Sequence, residues 1–247
     1  MRMFLKRGLS AIVLVLVLAC EASATWSILA VDTASGLMVV ASATCLQQSV
    51  FPRIGVRDLR DVQAVVVPGK GIGVCQAAID TTRRNQQTVQ AELEKGTDPS
   101  KILELLKLRD PGVESRQIGI LNLQGKSVGF SGKGNLANAL SESGRAGSTL
   151  YYQMQGNILA NDDVIHEAAR AFVRTSGTVD ARVMAAMEAA DSKGGDRRCT
   201  GGRTAYVAYI LIVDKSGKET YITATDQDSS NPIPTLRQRY TAAVGRN

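Results

Sequence analysis

The sequence is poor in the residue types on which most enzyme chemistry and most nucleic-acid recognition depend. One histidine, His166, stands in 247 residues. That excludes sites built from several imidazoles and counts strongly against a Ser-His-Asp triad. Aromatic residues make up only 4% of the chain, with few among the scattered basic residues to stack on bases, so nucleic acid is not an expected partner. The net charge of +6 shrinks on inspection: Arg2, Lys6, Arg7 and Glu21 lie in the first 24 residues, leaving 26 basic and 22 acidic side chains, a net +4. The four cysteines, Cys20, Cys45, Cys75 and Cys199, fit no zinc spacing, and neither a metal nor a cofactor is implied. No apolar run reaches the roughly 20 residues that a membrane span needs.

The longest apolar run lies at the N-terminus. A basic start, Arg2 to Arg7, is followed by the unbroken run Ala11 to Ala19 and then by Ala22-Ser23-Ala24. This is the order of an export signal, with small residues at −3 and −1 of a cut between Ala24 and Thr25. A rival site lies upstream, where Val17-Leu18-Ala19-Cys20 loosely matches a bacterial lipobox. Cutting there lipidates Cys20 and leaves Thr25 inside the chain. The expected organisation is a signal peptide over 1–24, one domain over 25–228 and a polar, loose tail over 229–247. The expected location is periplasmic or secreted, with a lipid anchor at Cys20 as the alternative. In an oxidising compartment one disulfide is expected. Cys45–Cys75 is favoured because strand-like segments lie near both, and buried, unpaired cysteines are the other reading.

Four hairpins are legible: Trp26 to Val31 with Leu37 to Ala43, Ala64 to Val67 with Ile72 to Gln76, Gln117 to Leu121 with Ser127 to Phe130, and Ala205 to Val213 with Tyr221 to Ala224. Turn residues separate the strands of each, as in Asp32-Thr-Ala-Ser-Gly36. Helices are expected over Thr82 to Glu94, after Asp98-Pro99, over Asp162 to Thr175 and over Asp180 to Ser192. A short strand, Tyr151 to Gln155, precedes the second helix pair, and residues 131–149 are read as a surface loop. Hairpins imply antiparallel sheets that bury one face. Two helix pairs suffice to cover the outer faces of two stacked sheets, so the expected class is α+β, a four-layer α/β/β/α sandwich.

A freed Thr25 supplies chemistry without histidine. Its hydroxyl needs a base, and the α-amino group of the same residue, with an intrinsic pKa of roughly 7.7–8.0, can accept the proton. An internal threonine has no such amine. One cut thus converts an inert side chain into a nucleophile carrying its own base.

Several runs then make the chain familiar: Thr25-Trp-Ser-Ile-Leu-Ala-Val-Asp32, Arg116-Gln-Ile-Gly-Ile-Leu, Gln155-Gly-Asn-Ile-Leu-Ala160 and Gly194-Gly-Asp-Arg-Arg198. Over about residues 25 to 215 the sequence resembles the bacterial family catalogued as domain of unknown function 1028, assigned to the N-terminal-nucleophile hydrolases. The resemblance implies the same four-layer sandwich and amide cleavage through an acyl-enzyme on an N-terminal Thr, Ser or Cys. It names no substrate, so the partner expected is a small-molecule or peptide amide, with a homo-oligomer left open. Proteasome-type relatives also hold a lysine near the nucleophile; Lys70, in a tight turn, is a weak match.

The remaining candidates have two readings each. Asn157, after Gly156 at a strand end, can donate its amide to an oxyanion or serve as a turn residue. Asp196 and Arg197, after two glycines, can orient a substrate or close their loop as an ion pair. Ser42 and Thr44 end the second strand and can lie beside Thr25, although strand alternation should bury one of them. Gly69-Lys-Gly-Ile-Gly73 lacks the Ser or Thr and the helix of a phosphate loop and is a turn. The expected site is Thr25 and Asn157 as catalytic groups with Ser42, Asp196 and Arg197 binding substrate. The alternative is an inactive, envelope-associated binding protein on the same fold.

Overall fold

The structure, a computed structural model, describes residues 25–245. The expected export segment, with Cys20, lies outside the described residues.

Among the described residues ten strands form two antiparallel sheets. The first contains β1 (Thr25–Asp32), β2 (Met38–Thr44), β7 (Leu140–Ala146), β8 (Leu150–Asn157), β9 (Val207–Val213) and β10 (Glu219–Thr225), in the order β10-β9-β2-β1-β8-β7. The second contains β3 (Ala64–Val67), β4 (Gly71–Ala77), β5 (Arg116–Asn122) and β6 (Ser127–Ser131), in the order β3-β4-β5-β6. All four expected hairpins are present. The first turns where Asp32 Oδ1 accepts the Ala34 amide at 3.0 Å and Gly36 takes φ +79°, a left-handed conformation that glycine adopts without steric cost.

Alternation along β1 sorts its side chains to two faces. Trp26, Ile28 and Ala30 join a cluster with Phe172 of α4 (Asp163–Arg174), Val183 and Met187 of α5 (Val179–Ser192) and Leu236 of α6 (Pro232–Val244). Leu29 and Val31 point the other way, meeting Ile72 and Val74 of β4 and Leu121 of β5. The second sheet's other face carries Cys75, Ile118 and Ile120 against Val89 and Leu93 of α2 (Arg84–Lys95) and Ile102 and Leu106 of α3 (Pro99–Arg109). α3 begins as expected, with the Asp98 carboxylate accepting the Ser100 amide at 3.1 Å and Pro99 in the first turn. No helix among the described residues is long and apolar enough to cross a membrane.

Two segments differ from the sequence expectation. Residues 140–146, read as loop, are the edge strand β7; their polar side chains Ser141, Glu142 and Arg145 carry little apolar alternation because one edge of the strand has no neighbour in the sheet. A 3-10 helix over Gln48–Ile54 and the short α1 (Leu59–Gln63) occupy the stretch around Pro52. The residues after Asp226, expected to be loose, form α6. Its start carries an unheeded signal, Asn231-Pro232, with the Asn231 side chain accepting the Ile233 amide at 3.2 Å. Ile233, Leu236 and Tyr240 recur at helical spacing and are buried against β9, β10 and α5.

Because Leu236 is fully buried, Leu236→Ala should cost about 2–5 kcal/mol of unfolding free energy in a urea titration. A change below about 0.5 kcal/mol, typical of a surface substitution, would show that α6 does not seal the core.

Candidate active site

At one end of β1 the layer between the sheets changes from apolar to polar. Thr25 and Ser27 of β1, Ser42 and Thr44 of β2, Gln153, Gln155 and Asn157 of β8, Gln76 of β4 and Gln117 of β5 are all buried. Burying such groups costs free energy unless they bond to one another or to backbone.

Thr25 stands at the centre of this layer. It opens β1 and is paired with Thr44 on one side and with Asn157 on the other. Its Oγ1 donates to Thr44 Oγ1 at 3.3 Å, and Thr44 Oγ1 also accepts the Leu46 amide at 3.3 Å. From the opposite sheet, Gln76 Nε2 donates to the Thr25 carbonyl at 3.0 Å and to Gln117 Oε1 at 2.8 Å. Ser27 Oγ donates to Gln76 Oε1 at 2.7 Å, and Gln117 Nε2 donates to the Gly156 carbonyl at 2.8 Å. The Gln155 amide is buried in the same layer with neither polar atom hydrogen-bonded, in space left by the missing Cβ of Gly119.

Alternation does not separate the two β2 hydroxyls as expected: two residues apart, both face the interlayer and both are buried, and Thr44 is the one beside Thr25. Ser42 lies opposite Ser27, one inward-facing position deeper, and its Oγ donates to the Trp26 carbonyl at 2.7 Å. It is fully buried and holds backbone, an arrangement that leaves no free donor for a substrate.

Asp196 and Arg197 diverge. The Asp196 carboxylate is fully buried and accepts the Cys45 amide at 2.8 Å and Arg198 Nη2 at 2.8 Å on Oδ2. The Arg198 amide and Nε reach Oδ1 at 3.0 and 3.2 Å. Its ionic partner is thus Arg198, whereas the Arg197 side chain is exposed and its backbone N–H donates to the Ile158 carbonyl at 3.2 Å. The preceding glycines make the turn. Gly195 has φ +51°, and a Cβ there would sit 2.6 Å from the Trp26 ring and 2.7 Å from the Thr204 carbonyl oxygen. Ile158, directly after Asn157, also takes a left-handed φ of +51°, rare and costly for a β-branched residue.

A model of the family of unknown function DUF1028 matches residues 25–236. The chain belongs to that family. The matched segment of this DUF1028 member opens on Thr25 itself. A crystal structure from the same family, of a protein of Silicibacter pomeroyi, is similar with a TM-score of 0.72 at 23% identity, over 90% of this chain and 89% of that one. At that identity the likeness shows the fold alone. No curated protein matches the chain.

The disulfide joins Cys45 to Cys199, Cα atoms 5.3 Å apart, and not Cys45 to Cys75. Alternation explains the correction. On β4 the Gln76 side chain faces Thr25, so its neighbour Cys75 faces α2 and α3, where burial pushes the thiol up to about 12. Lys70 precedes β4, at the opposite end of that strand from Gln76, and so lies away from Thr25. His166, on α4, has Nδ1 2.8 Å from Glu142 Oε2 and takes no part in the layer. Among the described residues no group of three or more His, Cys, Asp or Glu side chains is placed to hold a metal. A groove of about 670 Å³ between α2 and the start of β5 is lined by Arg84, Asn85, Glu92, Lys95, Arg109 and Arg116 among others; Thr25 and the residues around it do not line it.

Gln76, Gln117 and Gln155 escaped the sequence reading although a signal existed. Gln76 and Gln117 occupy inward positions where the alternation of Ile72 and Val74 on β4 and of Leu121 on β5 calls for an apolar side chain, and Gln155 repeats the polar inward pattern Gln153-Gln155-Asn157 of β8.

Gln76→Leu would strand the Thr25 carbonyl, Ser27 Oγ and Gln117 Oε1. A loss of about 3 kcal/mol or more is expected in urea unfolding, against less than about 0.5 kcal/mol for Arg197→Ala. Similar small effects for both would remove the structural weight assigned to the glutamine layer. A non-reducing digest should yield one peptide joining Cys45 to Cys199, with Cys75 unreactive to maleimide until urea is added.

Proposed function

We propose that this chain is an exported hydrolase of amide bonds in which Thr25, as the first residue of the mature protein, is the nucleophile. The two sheets and their covering helices would then be the four-layer α/β/β/α sandwich of the N-terminal-nucleophile hydrolases. The observation that carries this reading is the placement of Thr25, its hydroxyl in a buried polar layer between Thr44 and Asn157 at the head of a central strand. The family match that opens on Thr25 supports the same boundary. The Cys45–Cys199 disulfide supports an oxidising location, periplasmic or secreted.

In the proposed reaction the Thr25 amine takes the proton from Oγ1 as the oxygen attacks the substrate carbonyl carbon. The charge that develops on the carbonyl oxygen is met by hydrogen-bond donors fixed beforehand, for which the Asn157 amide is the nearest by strand pairing. Collapse breaks the C–N bond, the amine passes its proton to the leaving nitrogen, and an ester remains on Oγ1. Water, activated by the same amine, then releases the acid and restores the hydroxyl. The Gln76 bond to the Thr25 carbonyl fixes the residue while its own nitrogen and oxygen react. Thr44 Oγ1, 3.3 Å away, holds the hydroxyl's orientation.

Two measurements test this. N-terminal sequencing of protein from its native compartment should begin at Thr25; a chain beginning at a lipidated Cys20 would favour the inactive, anchored binding protein instead. A small peptide epoxyketone, which closes a ring on a hydroxyl and an amine of one residue, should label the mature protein. Labelling should disappear in Thr25→Ala with an unchanged circular dichroism spectrum. Equal labelling of both proteins ends the proposal.

A further inference from the structure

The segment 195–206 grips both strands that flank Thr25, and it does so through backbone bonds, one buried carboxylate and a disulfide. On the β2 side it holds the Thr44–Cys45 peptide at three points. The Tyr206 amide donates to the Thr44 carbonyl at 2.7 Å, the Cys45 amide donates to Asp196 Oδ2 at 2.8 Å, and Cys45 is bonded to Cys199. On the β8 side the loop pairs with the chain at an isolated bridge between Asp196 and Leu159, made by two backbone bonds: the Arg197 amide donates to the Ile158 carbonyl at 3.2 Å, and the Ala160 amide donates to the Gly195 carbonyl at 2.9 Å. Ile158 is the residue held at φ +51° immediately after Asn157. One loop thus fixes the ends of the two strands that carry Thr44 and Asn157, the residues on either side of Thr25.

We propose that this loop is a brace whose buried anchor, the Asp196 carboxylate, is a positioning residue: through the Cys45 amide it sets Thr44 at its spacing from Thr25, while the backbone bonds of its neighbours Gly195 and Arg197 hold the chain that follows Asn157. The inference rests on Thr25 being the nucleophile. It assigns Asp196 to holding the site rather than touching the substrate, since its two oxygens are occupied by Cys45 and Arg198. The disulfide is the brace's second arm. Reduction leaves the ionic arm in place and frees Cys199, so the brace loosens without being lost.

A misplacement on the order of 1 Å costs up to a hundredfold in rate. The epoxyketone separates the two roles of Asp196, because its saturable labelling reports an affinity constant and a maximal rate. In Asp196→Asn the maximal rate should fall by about ten- to a hundredfold with the affinity constant unchanged. A weakened affinity at an unchanged maximal rate would assign Asp196 to substrate binding and overturn the proposal. The buried pair of Asp196 and Arg198 makes a folding defect a real outcome for that variant. A second arm therefore uses the wild-type chain, reduced and then freed of reductant without air; its maximal rate should fall in the same direction and return on reoxidation. A wild-type chain labelled at equal rate in both redox states, with Asp196→Asn also unchanged, sinks the brace and leaves the Thr25 reading standing. No labelling of the wild type at all removes the reading, and the brace with it.

Discussion

A buried amide must find partners, and in this chain that requirement joins the two sheets. The Gln76 side chain crosses the interlayer to bond the Thr25 carbonyl, takes a hydrogen bond from Ser27 and passes one to Gln117, which reaches back to the Gly156 carbonyl. Four strands, β1 and β8 of one sheet and β4 and β5 of the other, are thereby registered across the interlayer at one end only. At the other end Leu29, Val31, Ile72 and Leu121 do the joining by apolar contact, which is non-directional. The polar end is the directional one. It determines where the sheets sit relative to each other to within hydrogen-bond tolerance, and the candidate nucleophile is placed at that end.

This division accounts for the kinds of residue around Thr25. Threonine, serine, asparagine and glutamine are neutral at every relevant pH, so a layer of them can be buried without the desolvation cost of isolated charges. The one carboxylate nearby that is fully buried, Asp196, is neutralised by Arg198 and by two backbone amides. A threonine freed at its N-terminus would thus meet oriented dipoles rather than strong fields. That suits a base whose intrinsic pKa of roughly 7.7–8.0 already lies near neutrality and needs little tuning.

Much of the architecture was legible because hairpins carry their signals locally. Asp32 to Gly36 and Pro68 to Gly71 mark turns whichever strands they later join, and Asp98-Pro99 marks a helix start. What escaped depended on distant partners. β7 is strand because it lies beside β8, not because Ser141 to Arg145 favour one. α6 was hidden by a polar composition in which three buried side chains at helical spacing do the anchoring. The cysteine pairing turned on which face of β4 Cys75 takes, and that follows from Gln76 facing the interlayer. Thr25 and Asn157, chosen at two strand ends, are neighbours in the sheet, because strand ends are readable features. Ser42 is picked out by its place at a strand end and Arg197 by the two glycines before Asp196, but neither feature shows that the Ser42 hydroxyl bonds the Trp26 carbonyl or that Arg197 faces solvent.

The bond between Cys45 and Cys199 encloses 154 residues of sequence separation. In the chain-entropy picture a loop of that size restrains the unfolded ensemble by about 5 kcal/mol. It also makes most of the molecule a covalent ring. A protease that cuts once at any surface turn between those two positions opens the ring but separates no fragments, and both halves stay tethered beside the strands on which they must reassemble. That closure lets the folded chain survive a first cleavage.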